Sequence, residues 1–202
     1  QQIAHAYDLL MLPFSTLKNS FPLRYHWRML LAIICTGLQS CTDPLTKERN
    51  ATAESEYSWK DQVEDSLRNG DLLLRTGTDF SSEQVKGLSK IEQIYSHGGI
   101  AVWDQGNWKV YHVEPDYYHL RDRVRKESLD SFLDPTHNLG FALARYELQT
   151  TEITNLISYL ETQYIRKVPF DMNFNLKTDD SLYCSEMIQK GLWQATQGRI
   201  TI

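Results

Sequence analysis

The sequence predicts an α+β fold in which an antiparallel sheet packs against helices. Strand-like runs bunch in the middle of the chain, helical patterns lie before and after them, and two of the runs meet at a short Gly-containing turn. With 202 residues, 41 % hydrophobic and a net charge of −5, the chain has room for one domain plus an extension. A mildly acidic chain without a long Lys/Arg run has no electrostatic footprint for nucleic acid. The cluster Arg121, Arg123, Arg125 and Lys126 is interrupted by Asp122 and Glu127 and reads as a solvated face.

The elements follow in order. Trp59 to Leu67 reads as a short helix, and Gly70-Asp71 then leads into a buried strand at Leu72-Leu73-Leu74-Arg75. Ser81 and Gln84 fit a capping box that opens a helix through Ile94, with Val85, Leu88, Ile91 and Ile94 near one face. HGGIAVWD (97–104) and NWKVYHVE (107–114) are strands joined through Gln105-Gly106, and LGFALARYEL (139–148) is a further strand. Glu152 to Ile165 is a helix whose apolar stripe is Ile153, Leu156, Ile157, Leu160 and Tyr164. In SLYCSEMIQKGLW (181–193), Cys184, Met187, Ile188, Gly191 and Leu192 form the core stripe of a last helix. Asp179, Asp180 and Ser181 are its candidate N-caps.

The first part of the chain reads as an export signal. Arg24 and Arg28 precede a short apolar run from Met29 to Leu38, too short for the roughly 20 residues that span a bilayer. Leu38-Gln39-Ser40-Cys41 resembles a bacterial lipobox, from which Gln39 departs, and the resemblance implies Cys41 as the lipidation site; the plainer alternative for the apolar run is an ordinary buried helix. Met11 is a candidate start, placing residues 1–10 upstream of it. Residues 1–41 are thus expected to be signal and lipobox, 42–56 a polar tether, and 57–202 the catalytic domain. The expected location is the periplasm or the outer membrane, as a lipoprotein.

If the hairpin turns at Gln105-Gly106, Trp103 faces Trp108, Ala101 faces Val110, Gly99 faces His112 and His97 faces Glu114. Directly opposed side chains share a face, so a carboxylate can accept a hydrogen bond from the imidazole. A three-residue loop would put them on opposite faces. The plainer alternative is two edge residues that happen to align. His112 competes for the role on the same face, and His119 and His137 lie in polar, loop-like surroundings.

Three cysteines, Cys35, Cys41 and Cys184, show neither a CxxC nor a zinc-type pairing with histidine. Cys184 in the first turn of a helix lies where free N–H groups stabilise a thiolate and a developing oxyanion. With His97 and Glu114 it would form a nucleophile–base–orienter set. The alternative is an inert core cysteine.

The order Gly70-Asp71-Leu72-Leu73, Tyr95-Ser96-His97-Gly98-Gly99-Ile100, His112-Val113-Glu114, Pro169-Phe170-Asp171 and Leu182-Tyr183-Cys184-Ser185-Glu186 resembles the YiiX-like permuted papain-fold amidases of the NlpC-type superfamily. The resemblance covers about residues 68–195. It implies a circularly permuted papain-like fold, with the histidine strand before the cysteine helix. It also implies Cys184 as nucleophile, His97 as general base, Glu114 as the group orienting it, and Tyr183, Tyr95 and Asp171 as lesser site residues. A thiol amidase or peptidase with no metal or organic cofactor follows, acting on a peptide or acyl amide such as a peptidoglycan stem peptide. The superfamily also resembles lecithin retinol acyltransferase, so a lipid acyltransferase or thioesterase is one alternative and an inactive lipid-anchored binding domain another. Gly98 stands where relatives carry a bulkier aliphatic residue, which predicts a looser strand beside the histidine. Relatives continue past the cysteine helix, which predicts a C-terminus cut short at Ile202.

Overall fold

Alternate residues of one central strand feed two separate cores, and this sets the layout. The computed structural model describes residues 12–13, 59–88, 94–115 and 122–202. Its elements are β1 (Leu12–Pro13), α1 (Trp59–Ser66), β2 (Leu72–Gly77), α2 (Phe80–Leu88), β3 (His97–Asp104), β4 (Asn107–Val113), β5 (Val124–Ser128), α3 (Leu129–Phe132), β6 (Asn138–Ala144), α4 (Thr150–Ile165) and α5 (Cys184–Ala195). The strands form one antiparallel sheet in the order β1-β6-β2-β3-β4-β5. Even-numbered Ile100 and Val102 face a core built with Leu156, Leu160, Met187, Ile188 and Leu192 of α4 and α5. Odd-numbered Ala101 faces a second core with Val63 and Leu67 near α1 and Leu129, Phe132 and Leu133 around α3.

The hairpin has the register of the two-residue turn: Asp104 pairs with Asn107, Trp103 with Trp108 and Ala101 with Val110. Gln105 and Gly106 both have positive φ, as a primed turn requires. The expected helix over 81–94 begins one residue earlier, at Phe80, because Asp79 accepts the Ser82 N–H at 2.9 Å; it is described through Leu88, and residues 89–93, with Ile91 of the expected stripe, lie outside the described residues. The strand expected through 148 stops at Ala144, where Arg145 turns to form a two-pronged ion pair with buried Asp71, both contacts at 2.7 Å.

In α4 the buried stripe is Leu156, Tyr159, Leu160 and Gln163, while Tyr164 is 40 % exposed. The stripe is turned from the expected one because α4 packs against α5 as well as the sheet. Helix α5 starts at Cys184, later than Asp179, Asp180 or Ser181 would have capped it. Leu182 stays extended because its N–H bonds Pro169 O at 2.9 Å and its carbonyl accepts the Asp171 N–H at 3.0 Å. Tyr183 is therefore the N-cap, and Glu186 accepts its N–H at 3.3 Å.

The basic cluster is not a solvated face. Its described part lies on or beside β5, where the Arg125 and Lys126 side chains are only 17 % and 16 % exposed and paired with carboxylates. His137 is exposed, as its polar surroundings suggest, and His119 lies outside the described residues. So do the apolar run 29–38, Cys41 and the tether 42–56, although Leu12 and Pro13 pair with Phe141 and Gly140 of β6. No helix among the described residues is long and apolar enough to cross a membrane.

Two glycines let β3 be approached from both sides. A Cβ on Gly98 would meet Leu74 Cδ2 at 3.1 Å and Ile188 Cδ1 at 3.2 Å, so the missing side chain is replaced by neighbours from β2 and α5. Gly98 is buried and registered with Leu74, so the strand is not loosened there. A Cβ on Gly99 would lie 2.6 Å from Val110 Cγ1 and 2.9 Å from the Tyr111 carbonyl, closer than real contacts allow. Gly99→Ala is expected to destabilise the fold by about 1–3 kcal/mol through overpacking. Gly87→Ala, where an added Cβ meets nothing within 4 Å on α2, is expected to be neutral or to stabilise by up to about 1 kcal/mol. Urea-unfolding midpoints of the two variants test the contrast, and equal midpoints would remove the close-approach explanation.

Candidate active site

Five strands and helices deliver the charged groups of the site to one end of the sheet. His97 opens β3 opposite Arg75 of β2, and His112 of β4 faces Arg125 of β5. Glu114 follows β4 directly, and Glu127 lies on β5 opposite Val110. Phe132 of α3 underlies both imidazoles, with ring centroids 5.8 Å from His97 and 5.0 Å from His112. The Arg75 guanidinium lies over the same ring at 4.6 Å and donates to the Phe132 carbonyl at 2.8 Å.

The expected pairing of His97 with Glu114 is present but is not the shortest contact. His97 Nε2 lies 2.9 Å from His112 Nδ1 and 3.5 Å from Glu114 Oε2. Glu114 is engaged elsewhere: Arg75 bonds its Oε2, and Arg125 reaches its Oε1 at 2.9 Å. The diagonal neighbour on β4 thus takes the hydrogen bond that the directly opposed residue was expected to accept. Burial works to raise the Glu114 pKa, but His112, Arg75 and Arg125 outweigh it and hold the carboxyl below its ordinary 4.5. Burial, then the charges of Arg75, His112 and Arg125, pushes His97 well below its ordinary 6.5. Its imidazole is therefore neutral at pH 7, the form a general base needs.

Cys184 is a free, half-buried thiol at the first residue of α5. Burial raises its pKa above the ordinary 9.0, and the charge of Glu114 adds to the rise. The nearby backbone N–H groups of Gly98, Ser185 and Cys184 itself pull the other way, since they favour negative charge on the sulfur. The thiol therefore reaches the backbone next to His97, where the β3–β4 ladder has ended at Ile100–Tyr111. The sulfur and the His97 ring share no hydrogen bond among the described residues, and the two shifts leave the proton on sulfur in the resting site. A neutral thiol beside a neutral imidazole is the ground state.

The lesser candidates divide. The Tyr183 ring packs on Phe174 at 5.2 Å, immediately before Cys184. Tyr95 is half-buried two residues before His97. Asp171 is buried, and its carboxylate accepts the N–H groups of Asn173 at 2.8 Å and Asn175 at 2.5 Å, so it braces the loop before α5 instead of facing a substrate. Sequence reasoning missed Arg75, Arg125 and Glu127. Arg75 was signalled by a charge two residues after buried Leu73 on one strand face. The other two needed β5, whose three consecutive charged residues hid the strand.

The model of a family described as permuted papain-like amidase enzyme, YaeF/YiiX, matches residues 66–198. Among solved structures, one described as the metalloprotein yiiX from Escherichia coli superposes with a TM-score of 0.51 at 21 % identity, covering 66 % of this chain and 68 % of that one. This likeness carries the fold: helices and an antiparallel sheet arranged as in the permuted papain-like proteins. No curated protein matches the chain. From the last residue of α1 through the turn after α5, the chain belongs to the permuted papain-like amidase family, whose members are cysteine hydrolases acting on amide bonds.

Proposed function

We propose that the chain is a cell-envelope thiol hydrolase that cleaves an amide through an acyl-enzyme, with Cys184 as nucleophile and His97 as general base. The observation that carries this is the seating of the Cys184 thiol at the head of α5, close enough to the backbone N–H of Gly98, the residue after His97, for that group to oppose the rise of the thiol pKa. Since Nε2 of His97 is committed to His112, Nδ1 is the ring nitrogen left for the thiol. Sγ gives its proton to Nδ1 and attacks the carbonyl carbon. The N–H groups of the site then bond the oxyanion, a contribution typically worth about 10²- to 10³-fold per donor. Nδ1–H protonates the leaving amine as the C–N bond breaks. Water, deprotonated by Nδ1, attacks the thioester and returns the thiol. Glu114, 3.5 Å from Nε2, supplies negative charge to the imidazolium that exists between these proton transfers.

A peptidoglycan stem peptide is the proposed substrate and Cys41 the proposed lipid anchor, on the strength of the signal-like pattern at 23–41. A lipid or acyl substrate is the second reading. One observation favours it: Met172, Phe174 and Leu176 stand 46–55 % exposed on the loop that Asp171 braces, and Phe174 touches Tyr183 beside the nucleophile.

The E. coli neighbour is described as a metalloprotein, which raises the question of a metal here. One ligand atom each of His97, His112 and Glu114 lies within 4.8 Å of the others, an N,N,O donor set of the kind zinc accepts. Their surroundings do not fit a cation. Both Glu114 oxygens are bonded by guanidiniums, and the imidazoles bond each other. No step of the proposed reaction passes through a metal.

Cys184→Ala and His97→Ala are each expected to abolish turnover of peptidoglycan fragments and acyl-lysine amides, a loss of at least about 10³-fold read by mass spectrometry. Full turnover by Cys184→Ala would end the thiol mechanism. Alkylation of Cys184 by iodoacetamide is expected to keep rising through pH 9, because burial raises the thiol pKa. The acid limb of kcat/KM is expected below pH 6.5, because a depressed imidazole pKa keeps the base neutral to lower pH. An alkylation plateau at neutral pH would mean a preformed thiolate–imidazolium pair instead. Activity is expected to survive prolonged dialysis against a chelator, and loss restored by zinc would reverse the reading of the His97–His112–Glu114 cluster. Fatty-acid labelling in cells is expected and should disappear in Cys41→Ala.

A further inference from the structure

The second imidazole of the site has no part in the reaction written above. His112 is fully buried, and Gly99 makes room for it: a Cβ there would lie 3.1 Å from His112 Cβ. Its Nδ1 meets His97 Nε2 at 2.9 Å. Its Nε2 lies 3.3 Å from Glu127 Oε2, off the line of a good ring N–H bond, and has no other partner among the described residues. Glu127 is held in place by the Ser131 hydroxyl, which donates to Oε2 at 3.2 Å, and by Arg125, 3.5 Å from Oε1. From this row of contacts we infer that His112 and Glu127 are positioning residues that select the tautomer of His97. This rests on His97 being the base of the proposed hydrolase.

With one proton on each ring, two arrangements are open to imidazoles joined Nε2 to Nδ1. In one, His97 carries its proton on Nε2 and donates it to His112, which must then carry its own on Nε2. In the other, His112 donates from Nδ1, and His97 must be protonated on Nδ1, the nitrogen that has to accept from the thiol. Only the first leaves a working base. The two differ at the far end of the row, where the first places a buried N–H beside Glu127 and the second a lone pair beside its carboxylate. A carboxylate beside a buried Nε2 stabilises the first and repels the second, since the alternative acceptor, water, is excluded there. Glu127 stays ionised for this role: burial works to raise its pKa, but its surroundings, with His112 and Arg125 beside it, bring it down to about 2. Arg75 and Arg125, on the neighbouring strands, and Glu114 face the same imidazoles, and the two guanidiniums keep His97 from taking a second proton at neutral pH.

The test uses the full chain with 15N-labelled histidine, whose ring nitrogen shifts report the tautomer directly. Wild-type His97 is expected to be protonated on Nε2. In Glu127→Gln the Nδ1-protonated form of His97 is expected to rise to a comparable population, with kcat falling on the order of tenfold and KM within about twofold. His112→Gln, which keeps an acceptor of similar reach, is expected to retain more activity than His112→Leu, a rescue that a purely space-filling role would not show. An unchanged His97 tautomer in both Glu127→Gln and His112→Gln overturns the inference. So does a tautomer that moves in Glu114→Gln and not in Glu127→Gln, since the orienting role would then belong to Glu114. The spectra need no turnover, so a wild-type chain that cleaves none of the amides offered would count against the hydrolase and leave the tautomer result to be read separately.

Discussion

The bare backbone of Gly98 and Gly99 is the constraint on which the remaining structure depends. The two residues point to opposite faces of the sheet, as successive strand residues must. On one face the space left at Gly98 is filled by Leu74 and Ile188, so α5 can settle directly on β3. On the other, the space at Gly99 is filled by Val110 and by the Cβ of His112. A side chain at either position would lift one layer away. Lifting α5 would carry Cys184 from the backbone beside His97, and lifting β4 would carry His112 from the imidazole it bonds. Close packing and the chemistry of the site thus share one cause.

Charge in the site is arranged to be nearly self-cancelling while the His97 ring stays neutral. Two guanidiniums and two carboxylates surround the imidazole pair, and each carboxylate is held by at least one guanidinium. In so buried a place a lone charge would be costly, and a paired one is tolerable only with its hydrogen bonds satisfied. The arrangement keeps His97 and the Cys184 thiol uncharged at rest. It also has fixed negative charge waiting for the imidazolium that the proposed reaction makes. A thiolate–imidazolium pair formed in advance would work differently, because the proposed reaction defers charge separation until substrate is present.

Membership in the permuted papain-like amidase family agrees with the order of parts along the chain. The histidine strand comes first and the cysteine helix last, the reverse of papain, yet the sheet brings them to the same end. The loop between α4 and α5 is the other contributor near Cys184. Asp171 braces it from within, and Lys190 of α5 ties it down by bonding Thr178 O and Asp179 at 2.6 Å each. In the proposed reaction, a braced loop with exposed apolar side chains beside the thiol would bear on which acyl group is accepted.

Local pattern by itself determined the α+β class, the two-residue hairpin and its register, the start of a helix near Cys184 and the family resemblance. These depend on residues a few positions apart: the period of apolar side chains, the Gln105-Gly106 turn and the contiguous motif before Met187. Tertiary structure decided what local pattern could not carry. Helix α5 began at Cys184 because Leu182 was recruited by Pro169, distant in sequence, and the stripe of α4 turned because a second helix lay against it. Strand β5 was hidden because its three consecutive charged residues, Arg125, Lys126 and Glu127, resemble a solvated face until Glu114 and Glu161 are brought to the two cations. For the same reason His97 took His112 as its hydrogen-bond partner over Glu114. The register placed both carboxylate and imidazole on one face, but only Arg75 and Arg125, arriving from flanking strands, occupied the carboxylate and left the imidazole as the nearer acceptor.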